Sequence, residues 1–223
     1  MNYFTQASAA LAALLYVVLI HRVFRSHLPA YLILFFNLLL LLLTGVVDFT
    51  LYFGKGSVGF SEADRMVYFT NDLLRQAMVY ILVISLILQA VKGSQRYRWV
   101  GRWLVLGAAL LALLFFWFHH DDNRSLWLTN VIRNLSLIAM LMNLLLWILL
   151  VQKRTADRVL LMVTTGLGLQ MAGEAIGQSL RLMNEATTTF GNVVLILAHL
   201  ACLVVWYLAF RPRAQKPHAY SGT

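Results

Sequence analysis

Apolar runs of about 20 residues, the length that crosses a bilayer, recur along nearly the whole chain and are separated by short charged segments. Because the hydrocarbon core offers no water to backbone groups, such runs must form helices or close into a barrel. The sequence therefore predicts an all-α membrane protein, a seven-transmembrane helix bundle over residues 1–210 followed by a short basic tail, 211–223. The predicted spans are residues 3–21, 28–53, 66–91, 99–118, 125–151, 158–182 and 189–210.

Composition supports a membrane protein and argues against a nucleic-acid partner. Hydrophobic residues make up 61% of the 223 positions and charged residues 12%, whereas soluble domains carry about 25% charged residues. The net charge of +9 does not indicate a basic binding face, because most Lys and Arg residues lie in clusters between the apolar runs. The lipid bilayer is therefore the expected surrounding, and no nucleic acid is expected to bind.

The loops alternate in charge, and this alternation predicts an orientation. Twelve of the 18 basic residues fall on one side of the membrane in this topology, and of the nine acidic residues only Asp157 falls there. Basic loops face the cytoplasm, so the C-terminus is predicted to be cytoplasmic and the N-terminus outside. The basic residues of that side are Arg22, Arg25, Lys92, Arg96, Arg98, Arg102, Lys153, Arg154, Arg158, Arg211, Arg213 and Lys216.

Six ionisable residues interrupt the apolar runs, and the predicted topology places all six toward the outer side. A charge at the centre of a membrane helix costs at least ~2.5–3.5 kcal/mol, so such residues pair, face a cavity or serve a function. Three are acids and three are arginines. They are Asp48, Asp72, Arg75, Arg133, Glu174 and Arg181.

Helical spacing gathers these charges with neighbouring amides, and two interpretations of the set stay open. In one, the side chains line a pocket for a small polar or anionic ligand, with Arg75 and Arg133 binding a carboxylate or phosphate through their guanidinium forks. In the other, acids and arginines neutralise one another and fix the packing of the helices. The candidate ligand-binding residues are Asp48, Asp72, Arg75, Gln76, Asn130, Arg133, Asn134, Glu174, Gln178 and Arg181.

The sixth predicted span also carries a pair of glycines four residues apart. Gly173 and Gly177 form a small-xxx-small face, which lets a neighbouring helix approach closely. We therefore assign these two glycines to helix packing.

No cofactor or metal is predicted. The last span, 189–210, contains no lysine that could bind retinal covalently, and only His199 lies deep enough to ligate a haem. The stretch from His119 to Asp122 could attract a metal ion, but adjacent residues on a helix point about 100° apart and rarely chelate one ion together. No nucleophile paired with a base is visible either, so an enzyme is not predicted.

The layout resembles a group of uncharacterised small seven-transmembrane proteins of Acidobacteria-like bacteria. The resemblance lies in a basic first loop with an aromatic second span (Arg22 to Phe36), a polar and charged opening of the third span (Tyr68 to Arg75), an arginine-bearing fifth span (Val131 to Leu146) and a glycine-rich sixth span with a glutamate (Gly166 to Gln178). It covers most of the chain and implies a multi-pass protein of a bacterial inner membrane. The group has no assigned activity, so the resemblance implies none here.

The sequence is compatible with three functions. A ligand-binding or sensory protein would have a closed, ligand-sized cavity with no cytoplasmic exit. A small transporter or channel would need polar residues that continue to the cytoplasmic side, where the sequence holds mainly Leu, Ile and Val, with Asn37, Gln89 and Asn143 as exceptions. A non-catalytic structural subunit of a membrane complex would use the ion pairs for packing and would require a protein partner in the membrane.

Overall fold

A computed structural model describes residues 3–26, 31–55, 61–91, 99, 102–103, 106–107, 124–152, 157–183 and 185–211. In this part of the chain there is no strand, and six helices are each long and apolar enough to cross a membrane. They are α1 (Tyr3–Ser26), α2 (Leu32–Lys55), α3 (Glu62–Val91), α4 (Arg124–Gln152), α5 (Arg158–Met183) and α6 (Glu185–Ala209).

The all-helical, multi-pass architecture is thereby confirmed for the described residues. The fourth predicted span, 99–118, lies almost entirely outside them, as does the tail beyond residue 211. Helices α4, α5 and α6 therefore correspond to the fifth, sixth and seventh predicted spans. The total of seven spans and the orientation of the two termini remain predictions.

Several helices extend beyond the apolar runs, and at the start of α3 a polar cap explains the extension. Helix α3 begins at Glu62 rather than at residue 66, after a capping box in which Ser61 N donates to Asp64 Oδ2 at 2.8 Å. In return Asp64 N donates to Ser61 Oγ at 3.3 Å. Helix α5 is capped in a similar way by Asp157, whose Oδ1 accepts a hydrogen bond from Leu160 N at 3.1 Å.

The six helices form a closed ring. Each packs against the next in chain order from α1 to α6, and α6 packs against α1. Short connections join α1 to α2, α2 to α3 and α5 to α6, so each of these pairs runs antiparallel. Two contacts fix the other directions: Arg22 near the end of α1 bonds Tyr207 near the end of α6, and Asn143 late in α4 bonds Thr164 early in α5. The beginnings of α1, α3, α4 and α6 therefore lie at the same end of the ring as the ends of α2 and α5.

At the opposite end the ring is filled by large apolar side chains, which we call the apolar plug. Every helix contributes at least one side chain that is 0–1% exposed. Helix α5 packs especially closely against α6 there, since a Cβ at Gly166 would lie 2.7 Å from Trp206 Nε1, and that indole donates to Val163 O at 2.9 Å. The plug comprises Leu19, Leu38, Leu86, Leu146, Val163, Leu203 and Trp206.

Candidate functional site

A cavity of about 860 Å³ lies inside the ring at the end away from the apolar plug. All six helices line it, and it is open, unlike the closed cavity expected from the sequence for a ligand-binding protein. Binding pockets for small molecules usually measure about 300–1,000 Å³, so the volume is within that range.

The cavity has a floor. Its deepest lining residues include Tyr16 on α1 and His199 on α6, whose hydroxyl and Nε2 are hydrogen-bonded to each other. Further along both helices the buried side chains are apolar, beginning with Leu19 and Leu203. In the described part of the chain the plug therefore closes the cavity at this end.

The clearest ion pair at the site joins α2 to α3. Arg75 forms a salt bridge with Asp48, and its Nε donates to Thr44 Oγ1 at 2.7 Å. Asp48 also accepts a hydrogen bond from Asn71 Nδ2 at 2.9 Å. Both charged side chains remain about a quarter exposed, 26% for Arg75 and 22% for Asp48. This pair neutralises itself, as the packing interpretation requires.

Amides rather than cations hold the carboxylate of Glu174. Gln170 Nε2 donates to Glu174 Oε1 at 3.0 Å, one turn away on α5. The amide of Gln76 on α3 is satisfied when its nitrogen donates to Glu174 Oε2 at 3.0 Å and its oxygen accepts from Ser136 Oγ at 2.8 Å. The hydrogen bonds therefore connect α3, α4 and α5 beside the cavity. Among the described residues, no Lys, Arg or His lies within salt-bridge distance of this carboxylate.

The remaining charges at the cavity are Asp72 on α3 and Arg181 on α5. Arg181 Nε donates to Asn192 Oδ1 at 2.7 Å, across the contact with α6. This bond uses a neutral acceptor, so Arg181 forms no direct ion pair in the described part of the chain, although it interacts electrostatically with Asp72 at longer range. Asp72 has neither a hydrogen-bond nor an ion-pair partner among the same residues. Both line the cavity together with Gln178.

Six of the ten predicted ligand-binding residues line this one cavity: Asp72, Arg75, Gln76, Glu174, Gln178 and Arg181. Asp48 is instead the partner of Arg75, and Asn134 is partly buried on α4 without contributing to the lining that the structure describes. The side chains of Asn130 and Arg133 lie outside the described part, so the predicted role of Arg133 stays a prediction.

The predicted packing glycines lie where α5 meets α6. A Cβ on Gly173 would collide with the Cβ of Ala198, and one on Gly177 would lie 3.0 Å from the carbonyl oxygen of Gly191. The stretch from His119 to Asp122 lies outside the described residues. Within them, no group of three or more His, Cys, Asp and Glu side chains is arranged to hold a metal ion.

Several residues at or beside the cavity were not among the predicted candidates. Tyr16 and His199 form the floor, Ser136 completes the Gln76 amide, and Thr44 binds Arg75. The sequence could have indicated only Tyr16 and His199, because each is a residue with a polar tip near the middle of its helix. A threonine within a leucine run gives no such signal, since its hydroxyl is commonly satisfied by the preceding turn, as Thr44 is by Leu40 O at 2.9 Å.

Comparison of the chain with protein-family models, with curated proteins and with solved structures finds no match. The helices therefore define the class of this protein, which is a multi-pass membrane protein. Its activity must be inferred from the cavity.

Proposed function

We propose that this chain is a ligand-binding or sensory protein of a bacterial inner membrane, and that the cavity receives a small polar or anionic ligand. In the proposed topology the bundle has seven spans, the N-terminus and the cavity mouth face outward, and the C-terminus is cytoplasmic. The lipid bilayer surrounds the helices, and any signal passes inward through a separate protein partner.

The observation that carries the proposal is the incomplete neutralisation of the cavity wall. Of the five charged residues at the site that the structure describes, Asp48 and Arg75 form an ion pair. Asp72, Glu174 and Arg181 form no direct ion pair among the described residues, and Asp72 interacts with Arg75 and Arg181 only at longer range. A self-neutralising core would pair them, because an unpaired charge within the membrane is costly. Water and a polar ligand in the cavity offset that cost.

The lining groups suit a ligand with an anionic part and a hydrogen-bond donor. The Arg181 guanidinium offers N–H donors beyond the Nε bonded to Asn192, and a fork of this kind binds carboxylate or phosphate oxygens. The Asp72 carboxylate only accepts hydrogen bonds when ionised, so it suits a hydroxyl or ammonium group of the same ligand. Gln178 can donate or accept.

The test is ligand-induced thermal stabilisation of the purified protein in detergent, with inorganic phosphate, succinate and glycerol 3-phosphate as probes. We expect at least one probe to raise the melting temperature of the wild type in a saturable way. Arg181→Gln should abolish that rise without preventing folding. Arg158→Gln, the same change at an exposed position of α5 away from the cavity, should retain it. If no probe stabilises the wild type, or if both variants respond alike, the proposal is wrong.

A transporter is the second candidate, and one buried amide favours it. Asn37 on α2 is 0% exposed at the level of the apolar plug, and both of its side-chain polar atoms lack a partner among the described residues. Asn143 on α4 differs, since its Nδ2 donates to Thr164 O at 3.1 Å. If Asn37 belongs to a polar route, proteoliposomes should take up radiolabelled glycerol 3-phosphate and Asn37→Leu should abolish uptake. Under the ligand-binding proposal neither protein transports it.

A further inference from the structure

Helices α1 and α2 pack well at one end only. The buried apolar residues of α1 all lie from Leu15 onward, and in the first half of the helix only Ser8 is buried. On α2 the buried residues end at Thr44, after which every described side chain is exposed or partly exposed. Because the two helices run antiparallel, these loosely packed halves lie side by side, at the end that holds the cavity.

Small side chains form the cavity wall in this region. Helix α1 contributes Ala9, Ala10 and Ala13, all of them exposed, and α2 contributes Gly45. A Cβ placed on Gly45 would meet no atom of the described residues within 4 Å. Glycines at the α5–α6 contact differ in this respect, since their space is filled by the neighbouring helix. The gap beside Gly45 is therefore open space, which we call the α1–α2 portal.

The two sides of the cavity differ in chemistry. Its charged groups come from α3 and α5. Helices α1 and α2 contribute alanines, glycine and apolar side chains, together with uncharged polar residues of α1, namely Thr5, Gln6, Ser8 and Tyr16. Val46 and Phe49 continue the apolar surface outward and are 53% and 48% exposed. Around a membrane-spanning ring, exposed apolar surface at this depth meets lipid chains rather than water. The apolar side of the cavity is thus continuous with the surface that faces the hydrocarbon.

The geometry points to a single-chain amphiphile with an anionic head group as the ligand. Its head occupies the polar side, with the anion at Arg181 and a hydroxyl donating to Asp72, and its chain leaves through the α1–α2 portal into the bilayer. This inference rests on the proposed function, because the head group uses the same polar residues. A fully water-soluble ligand would make no use of the portal or of its apolar rim.

The experiment compares three probes that share parts of one molecule. Lauroyl lysophosphatidic acid carries the phosphate, the hydroxyl and one chain; glycerol 3-phosphate lacks the chain; and 1-lauroylglycerol lacks the phosphate. Melting temperatures are measured for the purified protein in detergent as each probe is titrated. For the wild type we expect the lysophosphatidic acid to be half-saturating at a concentration at least about tenfold below that of glycerol 3-phosphate, since the burial of a few methylene groups suffices for that factor. We expect 1-lauroylglycerol to have no saturable effect.

Gly45→Trp fills the portal and separates this inference from the proposed function. In that variant the advantage of the chain should disappear, so that lauroyl lysophosphatidic acid and glycerol 3-phosphate become half-saturating at similar concentrations. Gly45→Ala is the matched control, because it adds only a methyl group to open space and should behave as the wild type does. Ala13→Leu narrows the portal from α1 and should also reduce the advantage of the chain, which keeps the test valid if the tryptophan variant fails to fold.

Two results overturn the inference and are distinguishable from each other. If glycerol 3-phosphate and its lauroyl derivative are equally effective on the wild type, the ligand is not an amphiphile. If Gly45→Trp and Ala13→Leu retain the chain's advantage, the chain does not leave through the portal. In both cases the inference is wrong and the proposed function stands. If none of the three probes stabilises the wild type, the amphiphile is excluded and the proposed function loses its support from this head-group chemistry as well.

Discussion

The two ends of the helix ring are built from the same six helices but differ in packing. At the plug, leucine, valine and tryptophan side chains are completely buried, and Gly166 brings α5 against Trp206. At the cavity end, the helices carry charges, amides and small residues that leave about 860 Å³ unfilled. The comparison indicates that the plug holds the bundle together, whereas the cavity end leaves the space in which the proposed ligand would bind.

The largest expected difference between the ends concerns the addition of a side chain at a glycine. Gly166→Leu should lower the free energy of unfolding by about 3 kcal/mol, because the new side chain collides with Trp206 and overpacking is costly. Gly45→Leu should leave stability unchanged or raise it slightly, since the position has open space and leucine favours helices. Unfolding of both variants in mixed micelles with increasing sodium dodecyl sulfate measures this. Equal destabilisation would mean that the cavity end is as tightly packed as the plug.

A smaller effect should distinguish the paired carboxylate of the cavity end from an unpaired one. Asp48→Asn leaves the Arg75 guanidinium without its counter-ion, which should cost about 1–2 kcal/mol for a partly exposed pair. Asp72→Asn removes a charge that forms no direct ion pair among the described residues and interacts with Arg75 and Arg181 only at longer range, so it should change stability by less than about 0.5 kcal/mol. The same unfolding assay compares them. A loss at Asp72 as large as that at Asp48 would show that Asp72 is paired, and the packing interpretation would then apply to it as well.

The smallest effect is expected at the border between the two ends. Tyr16→Phe removes the hydroxyl that bonds His199 and should cost about 0.6–1 kcal/mol, the usual worth of an interhelical hydrogen bond. Tyr80 on α3 is the matched control, because its buried hydroxyl has no partner among the described residues. Tyr80→Phe should therefore be neutral or stabilising. If the two variants cost the same, the Tyr16–His199 bond does not support the cavity floor.

How much of this architecture the sequence predicts depends on whether the signal is local. The lengths of the apolar runs suffice to predict the six helices. They do not predict helix ends that lie outside the runs, such as the start of α3, which the cap formed by Ser61 and Asp64 sets. Spacing along one helix also suffices to place Glu174, Gln178 and Arg181 together, and all three line the cavity.

Contacts between helices are harder to predict from the sequence, because they depend on the rotation and depth of each helix relative to its neighbour. Arg75 was predicted to bind an anionic ligand together with Arg133, yet its immediate partner is Asp48 on the preceding helix. The Tyr16–His199 bond joins residues 183 positions apart, and neither local sequence indicates the other. The open space beside Gly45 is equally invisible, since a glycine in an apolar run fits close packing as well as it fits a gap.

Thiol accessibility most directly tests the central claim that the ring is open and polar at one end and dry at the other. The single native cysteine, Cys202, is completely buried beside the plug, and Gln178 lines the cavity. A charged methanethiosulfonate reagent is added to the wild type and to a Cys202→Ser, Gln178→Cys variant in the same detergent. We expect the cavity thiol to react at least about tenfold faster, because the reactive thiolate forms where water has access. Equal rates at the two positions would contradict the account.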